Sequence, residues 1–366
     1  MRREVVRRVR AEIAALAESG LDWVKFATGA SESVRRAVPF DSTCWHPVDP
    51  GTVLFTGGFA QNMVCSGAWL AHHEYVVDDV NKWAFLARSG YRAGSLSGAT
   101  NGNLSLSARF RASEEAIGDE LRASFVVDGT YWGAAGFMRA PDRPWFNSDE
   151  VRFLASLSAP LAHGFRRAFL QSKPPTAGDP DDALGLVVLD ERGEVESVSP
   201  AAERWISALA EYPGADAAHS RVIQGVVARL RHAGDSLEFP ELQARARAFT
   251  RSGRWLLLHG TRLAGGGDGR TAVIIQPAPS HDLASLFVQA YGLSEREREV
   301  TELCAQGLAT KEIAAALHIS SYTVQDYFKV IFDKTGTRSR AELVGKVFLD
   351  HYVPTFRTID ARRIFG

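Results

Sequence analysis

Near the carboxyl end of this 366-residue chain, polar and apolar side chains are interleaved in a fixed pattern. Ser321, Tyr322, Thr323, Gln325, Asp326 and Lys329 alternate with Val324, Phe328 and Ile331. The apolar residues recur at helical spacing, so they share one face of a helix and leave the polar group on the other. Groups of these types have a definite use. A Gln amide can pair two-pronged with adenine, and a Thr can touch a base edge or a thymine methyl. Lys and Arg meet phosphate, which gives affinity rather than sequence choice. Lys334, Arg338 and Arg340 follow the run and Lys311 precedes it. The chemistry on offer is recognition of duplex DNA. Asp326 fits it least. A carboxylate repels phosphate, and its spacing to Lys329 favours an intrahelical pair over contact with cytosine.

The flanking residues say how that helix is held. Ser294 with Glu297 has capping-box spacing, Val300, Leu303 and Cys304 follow as an inward stripe, and Gly307 suits a helix end. A second helix is predicted from about Thr310 to Leu317, burying Ile313, Ala314 and Leu317. The tripeptide "HIS" makes a tight corner, and Ser320 can cap the polar helix. Ser339 and Glu342 open a fourth short helix. A corner of this kind makes its second helix project, as entry into a major groove requires.

The ordered set "LSEREREV", "TKEIAAALHIS", "TV", "DK" and "R" from Leu293 onward resembles the LuxR-type helix-turn-helix of bacterial transcription regulators. The resemblance implies a scaffold helix with Lys311 and Glu312, and a recognition helix beginning near Ser321. It also implies dimeric DNA binding to which the last helix contributes. Three positions depart from the family pattern. Gln325 stands where a Lys is usual, Tyr327 where a His is common, and Ala309 where a Ser caps the scaffold helix, so that Thr310 is expected to cap instead. These changes are expected to alter a phosphate or base contact, and the operator with it.

The chain is longer than one core usually holds, so two or three domains are expected. Its 45% hydrophobic and 23% charged composition is that of a globular protein, which sets disorder aside. A net charge of −1 excludes a general coat for nucleic acid, so any DNA contact must be local. Three scattered cysteines argue for a reducing compartment. No apolar run is long enough to span a membrane, and Glu12 and Glu18 make the basic N-terminal stretch an amphipathic helix. A cytoplasmic location and no membrane partner follow as expectations.

The expected fold class is α+β multidomain. The "QSKPPTAGDPDD" stretch from Gln171 to Asp182 is predicted to be a linker, and "PAPSHD" from Pro277 a second break. The N-terminal segment is predicted to hold helices over about 2–19 and 21–38, and strands in "FDSTCWHPVD" and "GTVLFTGGF". A helix in "VDDVNKWAFLARSG", a hairpin turning at Asp128-Gly129, and one long closing helix from Asn147 bent at Pro160 should follow. The hairpin "VVDGTYWGAAGFMR" and the closing helix make this segment similar to a GAF-type sensor, an antiparallel sheet with helices. "GLVVLDERGEVESVSPAAERWI" makes the middle segment similar to a PAS-like domain. The expected division is 1–171 GAF-like, 183–277 PAS-like, 284–350 helix-turn-helix, all α with four helices, and 351–366 a tail.

Sensor pockets are mostly apolar with few polar anchors. Trp45, Met63, Trp69, Trp83 and Trp132 are the candidate pocket residues, weighed against their use as core. His72-His73-Glu74 with Asp78-Asp79 reads as a polar surface helix end rather than a metal site, since adjacent histidines on a helix diverge. Cys44 and Cys65 read as buried thiols rather than a redox pair, and Gly265-Gly266-Gly267 as a hairpin tip rather than a phosphate loop. The arginines from Arg2 to Arg10 read as a solvated helix face.

No catalytic residue, cofactor or metal is assigned. "GSLSG" carries Leu96 where a nucleophile elbow needs Ser, and no dinucleotide glycine pattern follows a strand. The expected function is a sequence-specific DNA-binding regulator. Its expected partners are operator DNA, a small-molecule effector and a second copy of the chain. The alternatives are an interaction scaffold and, last, a sensor-domain enzyme.

Overall fold

The computed structural model describes residues 3–63, 66–113, 117–170, 183–209, 211, 216–232, 244–263, 269–279, 282–283, 286 and 289–346. The linker expected over 171–182, Cys65, the triple glycine and the tail 351–366 lie outside the described residues. The chain divides into two compact units, the first carrying both sheets up to Pro277 and the second beginning at Ala278. The architecture is α+β.

The first unit opens with α1 (Arg3–Glu18) and α2 (Trp23–Ala37), whose buried faces meet α8 (Ser158–Leu170). Asp22 caps α2 by accepting from Lys25 N. The first sheet runs β2 (Phe59–Gln61), β1 (Ser42–Pro47), β5 (Thr130–Arg139), β4 (Asp119–Val127), β3 (Ala93–Ser95), all antiparallel. Asp128 and Gly129 both take positive φ, 50° and 74°, the pair of left-handed residues that a two-residue hairpin turn demands. A register shift between Phe125 and Val126 sets Trp132 out of strict alternation. One face of this sheet lies on α8, and the other faces α3 (Gly67–Ala71), the π-helical turn His72–Val76, and α4 (Trp83–Arg88). Short helices α5 (Leu96–Ala99) and α6 (Ala108–Arg111) and the longer α7 (Ser148–Ser156) complete the layer.

The second sheet runs β7 (Val195–Val198), β6 (Gly185–Leu189), β10 (Thr271–Pro277), β9 (Trp255–Arg262), β8 (Arg245–Phe249). Helix α9 (Pro200–Ala208) starts with Ser199 as its cap and Pro at its first position, where the missing N–H costs nothing. Helix α10 (Arg221–His232) lies between this sheet and α3 of the first layer. Leu54, from the loop after β1, sits inside the second core beside Val222 and Val226. Asp49 accepts two bonds from Arg247 of β8, at 2.7 and 2.6 Å. The two sheets therefore share buried contacts within one unit.

Several sequence expectations are corrected. "GTVLFTGGF" contributes only the isolated bridge Val48–Phe55 and the first residue of β2, because Val53 takes a positive φ of 62° that no strand can carry. The helix expected over 77–90 shortens to α4. The single closing helix is two, broken at Leu157, since Pro160 lacks the N–H that an unbroken helix would need. Helix α10 is an element the sequence reading leaves out.

Candidate nucleic-acid interface and the buried polar face

The C-terminal unit is built around its caps. Ser294 accepts from Glu297 N at 3.3 Å while the Glu297 carboxylate accepts from Ser294 N at 2.8 Å, opening the helix Glu295–Ala305. The scaffold helix is Thr310–Leu317. Thr310 does not cap it. Ala309 occupies the cap position, and the Glu312 carboxylate alone reaches back, accepting from Ala309 N at 2.6 Å. An Ala has no acceptor, so half of the usual reciprocal pair is missing.

The corner is made by His318, whose φ of 55° and ψ of 44° place a β-carbon in the left-handed region. The recognition helix Ser321–Thr335 follows, with Ser320 accepting from Thr323 N at 3.0 Å and Gly336 ending it at a φ of 64°. Val324, Phe328, Ile331 and Thr335 are buried, the first three in a core with Leu293, Val300, Cys304, Ile313 and Leu343. On the other side Tyr322 is 76% exposed, and Thr323, Gln325, Asp326 and Lys329 are also exposed. Ser321 is half-buried at the first turn. Lys329 donates to Asp326 at 2.8 Å, an exposed pair of modest worth that a phosphate could compete away.

The flanking cations separate into two kinds. Lys311 and Arg338 are exposed. Lys334 is tied down, donating to the Glu297 carboxylate at 2.7 Å and to Gly292 O at 3.0 Å. Arg340 turns inward. Its guanidinium lies 5.0 Å from the Phe328 ring and donates to Cys304 Sγ at 3.3 Å and to Leu308 O. Lys334 stays exposed and Arg340 is half-buried, and each also finds an acceptor on a neighbouring helix or loop.

In the first unit the candidate pocket residues do not meet around one space, because the sheet separates them. Trp45 is fully buried on the α8 face against Phe125, Phe137 and Phe165. Trp132, turned by the register shift, faces Phe169. Trp83 is on the opposite face, where a β-carbon on Gly136 would meet it. Met63 and Trp69 are half-buried at the margin of that same cluster, and Trp69 Nε1 donates to Ala112 O at 3.2 Å.

The polar surface helix end expected at His72–Asp79 is instead largely interior. Glu74 and Asp79 join a buried chain of charges: Asp79 to Arg109 at 3.1 Å, Arg109 to Glu120 at 2.6 Å, Glu120 to Arg122 at 2.7 Å, and Arg122 to Glu74 at 3.0 Å. The Arg122 guanidinium lies 3.9 Å from the Trp83 ring. Burial pushes the Glu120 carboxyl up, but Arg109 and Arg122 outweigh it and hold the group at about 2. For Glu74, burial wins over Arg122 and the carboxyl is raised. Among the described residues no cluster of His, Cys, Asp and Glu could hold a metal. Cys44 is a buried thiol outside any disulfide among the described residues. No helix among the described residues is long and apolar enough to cross a membrane.

The sequence reading misses Glu74, Arg122, His46 and Tyr131 as a group. A signal was present: Glu120, Arg122 and Ser124 occupy alternate positions of an otherwise apolar strand, which places three polar side chains on one face of a sheet buried on both sides.

Residues 292–347 match the family model "Bacterial regulatory proteins, luxR family". The spore germination protein GerE of Bacillus subtilis is 44% identical over 52 residues, which are 14% of this chain and 70% of GerE. The transcriptional regulatory protein DesR of the same organism is 42% identical over 64 residues, 18% of this chain and 32% of DesR. The chain spans about a third of the length of DesR and of several other curated relatives, some of which are transcriptional regulators by name. Among solved structures, Escherichia coli SdiA aligns over 92% of this chain and 94% of its own, at 12% identity and a TM-score of 0.29.

Proposed function

The chain belongs to the luxR family of bacterial regulatory proteins, and from that premise we propose that it is a sequence-specific transcriptional regulator acting as a homodimer on operator DNA. The recognition helix enters the major groove with its N-terminal turns on base edges. Gln325 reads adenine with its amide, and Thr323 and Tyr322 add contacts at the helix start. Lys311, Lys329 and Arg338 neutralise phosphates. Lys334 and Arg340 hold the unit together so that this face stays fixed. Asp326 restrains Lys329 in the free protein. The N-terminal unit, GAF-like and PAS-like in organisation, senses a small molecule, which acts by favouring one arrangement of the DNA-binding heads over another.

One observation carries the reading: the recognition helix buries Val324, Phe328 and Ile331 while its opposite, base-reading face stays in solvent. Replacing Gln325 with Ala should cost about 1–3 kcal/mol of discrimination at one base pair per half-site while leaving nonspecific affinity nearly unchanged. Competitive binding to operator variants measures this, and an equal loss on every sequence would remove Gln325 from the reading.

A further inference from the structure

Large apolar side chains in solvent need no explanation when scattered, but they mark a binding site when they gather and polar groups rim them. Among the described residues before 171, four stand out as exposed: Phe85 at 57%, Tyr91 at 74%, Leu106 at 64% and Trp145 at 49%. Three of them, Phe85, Tyr91 and Trp145, line a single cleft of about 740 Å³. That volume is within the range of small-molecule sites. The walls of the cleft come from α4, the edge strand β3, α5 and the start of α7. None of the tryptophans buried against the faces of the first sheet lines it.

Both sides of the cleft are fixed by one buried group. Asp119, fully buried at the start of β4, accepts from Ser97 N at 2.9 Å and from Ser97 Oγ at 2.7 Å on one side. On the other side it accepts from Phe146 N at 2.9 Å. Trp145 O accepts from Arg139 Nη1 at 3.1 Å, and the Trp145 ring lies against Gly102, where a β-carbon would come within 3.2 Å of it. Aromatic walls held in this way lose little freedom on binding, which favours an occupant that is itself flat and rigid.

The edge of β3 is not open to another strand. Asn81 Nδ2 donates to Ser95 O at 3.0 Å, and the same side chain covers Gly94, where a β-carbon would lie 2.7 Å from Asn81 Oδ1. This blocks the backbone pairing that an extended peptide would use and points to a small molecule. Arg152 is the one charged residue among the described residues that line the cleft. Asp149 engages its Nη2 in an exposed pair of little worth, and a guanidinium has further N–H donors for a second carboxylate.

We propose that this cleft binds a flat, fused-ring aromatic carboxylate, its rings against Phe85, Tyr91 and Trp145 and its carboxylate on Arg152. This rests on the reading of the N-terminal unit as a sensor and deepens it by naming the site and the ligand class.

The full chain is titrated by calorimetry with 2-naphthoate and with its neutral counterpart 2-naphthamide. The naphthoate should bind saturably, one per chain. Tyr91→Ala, a change at an exposed side chain, should weaken both probes about fivefold or more. Arg152→Gln should weaken the naphthoate about threefold and leave the naphthamide unchanged. Ala99 is exposed in the cleft, so in Ala99→Cys the naphthoate should protect the introduced thiol from alkylation, read by mass spectrometry. No saturable binding of the naphthoate, or binding that neither variant weakens and that gives no protection, would overturn the proposal. Self-association that Tyr91→Ala abolishes would also overturn it, since a second copy of the chain would then cover the cleft. The sensor reading is judged separately, by whether any bound small molecule shifts operator affinity, so the two can fail independently.

Discussion

The recognition helix and the first sheet sort their side chains in opposite ways. On the helix, polar residues face solvent and apolar ones meet the core, so Val324 and Gln325 differ in burial although they are adjacent. On the sheet both faces are covered, and alternation only chooses which interior a residue enters. Leu121 and Phe125 go to the α8 side, while Arg122 goes to Trp83 and Glu74. A polar side chain that stays wet is available to a partner without further cost. One that is buried must be matched inside the protein or by something bound there. The two regions therefore place their polar groups differently, outward in one and inward in the other.

The sharpest way to break this comparison is to treat the buried charges as if they were surface charges. Arg122→Met leaves Glu74 and Glu120 without their shared cation, and should cost about 3–5 kcal/mol by denaturant unfolding. A loss below about 1 kcal/mol would mean the chain of charges is not a closed network. The same network fixes a pH dependence. Glu120 titrates near 2 when folded, below its ordinary value of 4.5, so its stabilisation is complete above about 4.5 and is lost as pH falls toward 2. Glu74, raised by burial, works against this at higher pH. Unfolding curves between pH 5 and 2.5 should show a net decline, one that Glu120→Gln flattens.

A middle-sized effect separates the cations of the C-terminal unit. Lys329→Ala or Arg338→Ala should reduce the slope of log affinity against log salt by about 0.9 each, with little change in stability. Arg340→Ala should do the reverse, losing about 1–2 kcal/mol of stability with its Phe328 and Leu308 contacts and leaving the slope unchanged. The smallest effect lies at the corner. His318→Gly relieves a left-handed β-carbon and should stabilise the unit by about 1 kcal/mol or less, read as a higher urea midpoint.

Legibility follows the same division. The C-terminal helices were readable because capping is local: Ser294, Glu297 and Ser320 bond to backbone within three residues of themselves. The Asp128-Gly129 turn was readable for the same reason, since its φ demands are its own. What failed depended on distant partners. The contacts of Arg340 with Phe328 and Leu308 are invisible to local spacing, since those residues lie 12 and 32 positions away. His73 and Glu74 look solvated until Arg122, 48 residues away from Glu74, is brought against the helix end. The tryptophans were rightly seen as large and apolar, but spacing along the chain does not say on which face of a sheet each one lands. The register shift at Phe125 and Val126 made even strict alternation an unsafe guide for Trp132.

If the wet face of the helix Ser321–Thr335 reads duplex DNA, the intact chain selects particular sequences. Enrichment of a randomised duplex pool by the intact chain tests it most directly. The expected product is an inverted repeat with half-sites centred about 34–36 Å apart, or one helical turn, and with a column in each half-site that relaxes in Gln325→Ala. A pool that stays random with the intact chain, at salt low enough for nonspecific binding to be seen, would contradict it.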